Sequence, residues 1–264
     1  MAAEMAAFAF FFFYCMLEMN LRGWTAWMPG RETPAAWRAW ACGAERAFAV
    51  PAAADAPPVR EIPPLLRRRA GVMGRAALHV LSRPELPYAG QAIVLCSRMG
   101  EFNRSFALQD ELAREGRVSP QQFSMAVHNA TGGLFMMARG ANAPLSALAA
   151  SEEGALAGLQ EALAQLADGA GAVWLLYCEE PLPHEYHSFV SSREAAQYFA
   201  FLLELSSGDE FRLAPGGDGN GGAAMARAAS PLDLLAFFLR PEDEALCLSA
   251  RGGWVLRRSA RGRS

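Results

Sequence analysis

The sequence contains no lysine; all 24 of its basic residues are arginine. This excludes Schiff-base chemistry on a lysine amine, a pyridoxal-phosphate anchor and a P-loop lysine together. Cysteine is sparse. Cys15, Cys42, Cys96, Cys178 and Cys247 are scattered, odd in number and mostly in apolar settings. They match neither a disulfide framework nor a zinc-ligand spacing, so they read as buried thiols of a reducing, cytoplasmic setting. A membrane span is also missing. The phenylalanine-rich run at residues 6–17 (AAFAFFFFYCML) has 12 residues, against about 20 for a spanning helix. With Glu4 ahead of it and no basic flank, it is a poor signal peptide too.

Other signatures fail on their context. GGDGNGG, at residues 216–222, has no βαβ frame around it and is not a nucleotide fingerprint. No G-x-S-x-G elbow is present for serine hydrolase chemistry. His184-Glu185-x-His187 offers potential metal ligands, but in a proline-flanked loop with no third partner. Neither a metal nor a cofactor is therefore expected. A net charge of −3 gives no electrostatic reason to bind nucleic acid or an anionic membrane.

What is present suits one large α/β domain: 264 residues, 52% of them hydrophobic. The expected organisation is an apolar extension over 1–20, a domain over 21–258 and a basic tail over 259–264. In chain order, residues 21–28 read as a first strand, 34–42 as a short helix, and 50–64, rich in Ala and Pro, as an extended loop. Residues 65–82 read as one amphipathic helix carrying Arg67, Arg68 and Arg69, and 91–96 as a buried central strand. A turn at 97–101 leads into a helix over 105–115. Later, residues 195–206 mix a helix-like start with a strand-like end. Ser230-Pro231 caps a helix to Leu239, and a hairpin closes the chain.

Residues 119–183 organise the rest. A polar turn with Asn129, Gly132 and Gly133 precedes the apolar Leu134-Phe135-Met136-Met137 and a short segment over 146–150. A sharp break at Ser151-Glu152-Glu153 follows, and then a helix whose leucines (Leu156, Leu159, Leu163, Leu166) share one face. Ser151 is the expected N-cap, and Glu152 and Glu153 sit favourably in the first turn. Gly169 and Gly171 end the helix, and a buried strand over 172–178 completes a strand–elbow–helix–strand unit. A catalyst of this design holds its nucleophile at such an elbow.

The motifs SPxxFSxxVHNAxxG, LxxxEEGALAGLxEAL and YxEEPLP resemble the β-ketoacyl synthase-like family, in its chain length factor branch from aryl polyene clusters. GWTAWMPG, LLRRRAGVMGRAAL, LCSRMGE, PLDLLAFFL and GGWVLRR agree in order, covering roughly residues 21–258. The resemblance implies a thiolase-like α/β fold, with a mixed sheet layered with helices. The second half is expected to be truncated, because only about 78 residues follow Tyr186.

A catalytic relative needs a cysteine at the elbow and two histidines from the second half. Here the elbow offers Ser151, Glu152 and Glu153, and none of the four histidines lies in a glycine-rich strand-end motif. A carboxylate at a helix N-terminus is stabilised as an anion and is a weak nucleophile. The resemblance therefore implies a non-catalytic subunit that pairs with a catalytic ketosynthase, shapes its acyl tunnel and meets an acyl carrier protein indirectly. His128, Asn129, Phe135, Met136 and Met137 are the candidates for the tunnel or dimer interface. His128 and Asn129 also suit a purely structural turn, and the three apolar residues also suit this domain's own core. Two alternatives stay open: a divergent acyltransferase or decarboxylase with Glu152 or Glu153 as base, and a homodimeric scaffold.

Overall fold

The computed structural model describes residues 16–43, 55–189, 197–216, 228–249 and 253–259. The phenylalanine run, the glycine-rich stretch 217–227 and the tail beyond 259 lie outside them. Among the described residues, seven strands form one mixed sheet in the order β3-β2-β4-β5-β7-β6, with β1 also on β5. The strands are β1 (Leu17–Trp27), β2 (Ala92–Cys96), β3 (Leu145–Leu148), β4 (Val173–Glu179), β5 (Phe199–Pro215), β6 (Ala245–Cys247) and β7 (Trp254–Arg258). β3, β2 and β4 run parallel. β5 lies antiparallel to β4, β1 and β7.

β4 shows how the layers form. Val173, Leu175 and Tyr177 enter a core that includes helices α1 (Pro34–Cys42), α7 (Gly154–Ala167) and α8 (Pro231–Leu239). Trp174, Leu176 and Cys178 enter the opposite core, against α3 (Val72–Leu81) and α6 (Ala130–Arg139). A strand covered on both faces must be apolar at every position, which explains the unbroken VWLLYC. Capping side chains set three helix starts, Ser119 accepting the Gln122 N–H at α5 (Pro120–Phe123) among them. Thr33 accepts the Ala36 N–H ahead of α1, with Pro34 in the first turn. Ser230 and Asp233 form a reciprocal capping box at α8.

The structure departs from the sequence reading in several places. The helix expected over 65–82 breaks into α2 (Pro64–Arg67) and α3, because extended Gly71 starts the second piece and Arg104 takes the Arg69 carbonyl at 3.1 Å. Gly132 and Gly133 are not in a turn; they lie within α6, which begins at Ala130. The first strand begins at Leu17 rather than Leu21. Glu18 there pairs with Arg212 at 2.8 Å across β1–β5. Finally, the strand-like end expected up to Ser206 extends into a single 17-residue strand, Phe199–Pro215, paired with three neighbours; the helix-like start expected at 195 begins outside the described residues.

Gly158 sets how closely α7 lies on the sheet. A Cβ there would stand 2.4 Å from the Tyr177 hydroxyl and 2.7 Å from the Cys96 sulfur. Tyr177 in turn donates to the Ala155 carbonyl at 2.9 Å. Gly158→Ala is expected to lower stability by about 2 kcal/mol through overpacking, a fall of about 5 °C in thermal midpoint by circular dichroism. Gly133, with nothing within 4 Å of its Cβ position, is the contrast. Gly133→Ala is expected to raise stability by about 0.5 kcal/mol through helix propensity.

Candidate functional site

Parallel strands β3, β2 and β4 deliver their carboxyl ends to one side of the sheet, where open α/β sheets place their ligand sites. β3 ends at Leu148, a 3-10 turn spans Ser151–Glu153, and α7 starts at Gly154. The strand–elbow–helix unit is therefore present. Its start chemistry differs from the expectation: the cap residue of α7 is Glu153, not Ser151, and no side chain caps it, because the 3-10 turn absorbs the first acidic residues. Glu152 and Glu153 are exposed. Glu153 accepts a hydrogen bond from the Ser249 hydroxyl at 3.1 Å, tying the elbow to the segment after β6.

The turn after β2 is built on Ser97 and Gly100. Ser97 donates its N–H to the Leu148 carbonyl, and its hydroxyl accepts the Gly100 N–H at 2.9 Å. Gly100 has φ +62°, and a Cβ on it would stand 2.7 Å from Nδ1 of His128. The His128 ring thus rests against the turn. Burial lowers its pKa, while hydrogen bonding to the Leu148 and Ser97 backbone opposes the shift. Through these contacts the ring touches the ends of β2 and β3 at the start of α6. Asn129, next along, is exposed at the N-cap of α6 without a side-chain capping bond.

The other interface candidates divide by burial. Phe135 is fully buried, 5.2 Å from the Tyr88 ring and 6.1 Å from that of Trp174. Met136 is also buried, and the Tyr88 hydroxyl donates to its sulfur at 3.6 Å. Met137 is 55% exposed. Asn129, Gly133 and Met137, four residues apart, make the outward stripe of α6.

Sequence reasoning missed the strongest electrostatic feature. At the end of β4, Glu179 turns back to accept the Arg98 N–H at 2.6 Å and the Ser97 hydroxyl at 3.4 Å. Glu180 accepts the Asn103 N–H at 2.9 Å, and the Asn103 amide donates to the Pro181 carbonyl at 2.7 Å. Nearby, buried Glu101 accepts from Thr131 at 3.2 Å and faces Arg104 at 3.7 Å. Burial pushes all three carboxyls up, Glu179 and Glu180 to about 7, against the opposing pull of these donors. An acidic pair directly after an apolar central strand was the available signal. Together these side chains brace the joint between β2, β4 and α4 (Phe102–Glu115).

No thiolate is available at the elbow. Cys96 and Cys178 are buried, and burial pushes both thiols up, far from the ionised state. Among the described residues, no group of three or more His, Cys, Asp and Glu is placed to hold a metal ion.

Residues 37–255 match the family model described as beta-ketoacyl synthase, N-terminal domain. No curated protein sequence matches. Among solved structures, the chain is similar to the ketosynthase (ApeO) in complex with its chain length factor (ApeC) from Xenorhabdus doucetiae. That match has 25% identity and TM-score 0.77, over 92% of this chain and 100% of that one. The ishigamide ketosynthase/chain length factor is similar at 15% identity and TM-score 0.60, over 77% of this chain and 69% of that one. A type II polyketide acyl-carrier protein in complex with its ketosynthase (AntDE:AntF) is similar at 12% identity and TM-score 0.54, over 73% of this chain and 63% of that one. The fold is the thiolase-like ketosynthase fold.

The carboxyl cluster predicts a pH dependence of stability. Glu179 and Glu180 keep their protons to about pH 7 when folded, against an ordinary value of 4.5. Between these values the folded state binds more protons, so the stabilisation is complete below about pH 4.5 and is lost as pH rises through 7. Glu179→Gln is expected to remove on the order of 2 kcal/mol of the stability difference between pH 5 and pH 8, measured by urea unfolding at the two pH values. An unchanged difference refutes the assignment.

Proposed function

This chain belongs to the beta-ketoacyl synthase family through its N-terminal domain, and from that premise we propose a non-catalytic chain length factor. It pairs with a catalytic ketosynthase and shapes the acyl tunnel in aryl polyene biosynthesis, with an acyl carrier protein delivering the chain. The observation that carries the proposal is the elbow, which keeps its strand, turn and helix but holds Glu152 and Glu153 where a thiolate is needed. Those carboxylates are exposed, with no burial to raise their basicity. The similarity to a ketosynthase–chain length factor complex also supports the reading.

The open sheet edge at β3, beside the elbow, is the natural pairing surface. β3 has β2 on one side and no strand on the other among the described residues. Residues 141–150 carry no charge to guard it. Beside this edge, α6 presents Asn129, Gly133 and Met137, with His128 at its head. Phe135 and Met136 support that stripe from the core, and a change of volume there is expected to move it. No helix among the described residues is long and apolar enough to cross a membrane; the proposed setting is the cytoplasm.

The test is co-expression with a ketosynthase encoded in the same gene cluster. A one-to-one complex is expected, with acyl thioester turnover by the pair and none by this chain alone. Met137→Arg is expected to weaken the pair at least tenfold, about 1.4 kcal/mol, read by titration with mass photometry. A free chain that turns over acyl thioesters by itself, and loses the activity on Glu152→Ala, overturns the proposal.

A further inference from the structure

The edge strand β3 carries one polar side chain inside an otherwise apolar segment. Ser146 donates its hydroxyl to Glu161 of α7 at 3.0 Å. Gln165, one turn further along α7, donates to both Glu161 at 2.7 Å and Ser146 at 3.2 Å. The carboxylate is half-buried and, among the described residues, no arginine lies within ion-pair distance of it. The Gln165 side-chain carbonyl is buried with no donor. A half-buried anion therefore stands over the free edge beside a buried, unpaired acceptor, and the anion calls for a donor from outside.

The backbone says what can approach. Ile93 donates to the Pro144 carbonyl and Ser97 to that of Leu148. By the alternation of a parallel ladder, Pro144, Ser146 and Leu148 face β2, and the peptide groups of Leu145 and Ala147 face outward. Those outward groups can receive another strand. If the incoming strand is a second copy, paired antiparallel about Ala147, the two Ser146 residues become diagonal neighbours on the same face, roughly 7–8 Å apart. Each brings its own Glu161, so two half-buried carboxylates meet with no cation between them. Like charges near a desolvated contact oppose such pairing.

We propose that Glu161, held in place by Ser146 and Gln165, determines which partner the β3 edge accepts. It disfavours a second copy of this chain and selects a different chain that sets an arginine or lysine against the carboxylate. The inference rests on the ketosynthase-pairing reading above and adds the residue that makes the pair unlike rather than self-matched. Charge complementarity supplies the specificity, and the strand edge supplies the contact.

Native mass spectrometry of the full chain, alone and co-expressed with the ketosynthase, tests this. The wild-type chain alone is expected to stay monomeric and to self-associate more as salt screens the paired carboxylates. Glu161→Gln is expected to tighten self-association at least tenfold and weaken the unlike pair at least tenfold. Glu115→Gln, the same charge change at the exposed end of α4, is expected to do neither. Circular dichroism checks that each variant folds, and the salt series on the wild-type chain needs no variant. A wild-type chain that forms no complex with the ketosynthase overturns the functional reading and this inference with it. If the complex forms, but neither salt nor Glu161→Gln changes partner preference, only the inference falls.

Discussion

The close approach of α7 to the sheet at Gly158 is the constraint on which the remaining geometry rests. With no side chain at that position, the helix backbone settles against Tyr177 of β4 and Cys96 of β2. Tyr177 then uses its buried hydroxyl to bind the first turn of the helix. This places the elbow above the carboxyl ends of the parallel strands. It also commits β4 to burial on both faces, and so to an apolar sequence along most of its length. The helix leucines, the strand aromatics and the tryptophans of α1 then fill one continuous core.

At the end of β4 the chain must leave an apolar layer, and it does so with two glutamates folded inward. Their carboxyls take up backbone N–H groups from the turn after β2 and from the start of α4, which would otherwise be unsatisfied at a buried joint. Desolvation raises the affinity of those carboxyls for protons, so the hydrogen bonding that closes the joint is also its most pH-sensitive part. His128, resting on Gly100, belongs to the same joint from the α6 side. These polar groups lie at the carboxyl ends of the parallel strands, and the contacts described for them hold those strand ends together.

The proposed function follows from a strand–turn–helix elbow that carries no cysteine. The cysteines of β2 and β4 are sealed in the core, and the elbow acids stand in solvent. Beside them the surface offers an uncharged strand edge and one outward stripe of α6. Burial divides the apolar residues of the VHNATGGLFMM segment accordingly, between a single core and the surface. Phe135 and Met136 turn inward to Tyr88 and Trp174, and Met137 turns outward. A partner that meets this face contacts Met137 directly and feels the larger residues only through the helix that they anchor.

Much was determined by the sequence itself. The caps at Thr33 and Ser230, the continuous apolar strand of β4 and the leucine-faced helix after the elbow are all local patterns, governed by neighbours a few residues apart. The missing thiol at the elbow and the missing lysine are matters of composition, and the family motifs could be read directly. Only the tertiary structure decided which apolar residues of α6 face outward, where the 65–82 helix breaks, and that Gly132 and Gly133 are helical. The tertiary structure also decided that β3 is the open edge, that Glu161 stands beside it, and that Glu179 and Glu180 point inward. Each of these depends on partners distant in the chain: Leu145 against Gly132, Arg104 on the Arg69 carbonyl, Arg98 on Glu179. Hydrophobic periodicity tells which residues want burial, but it does not say which surface will cover them.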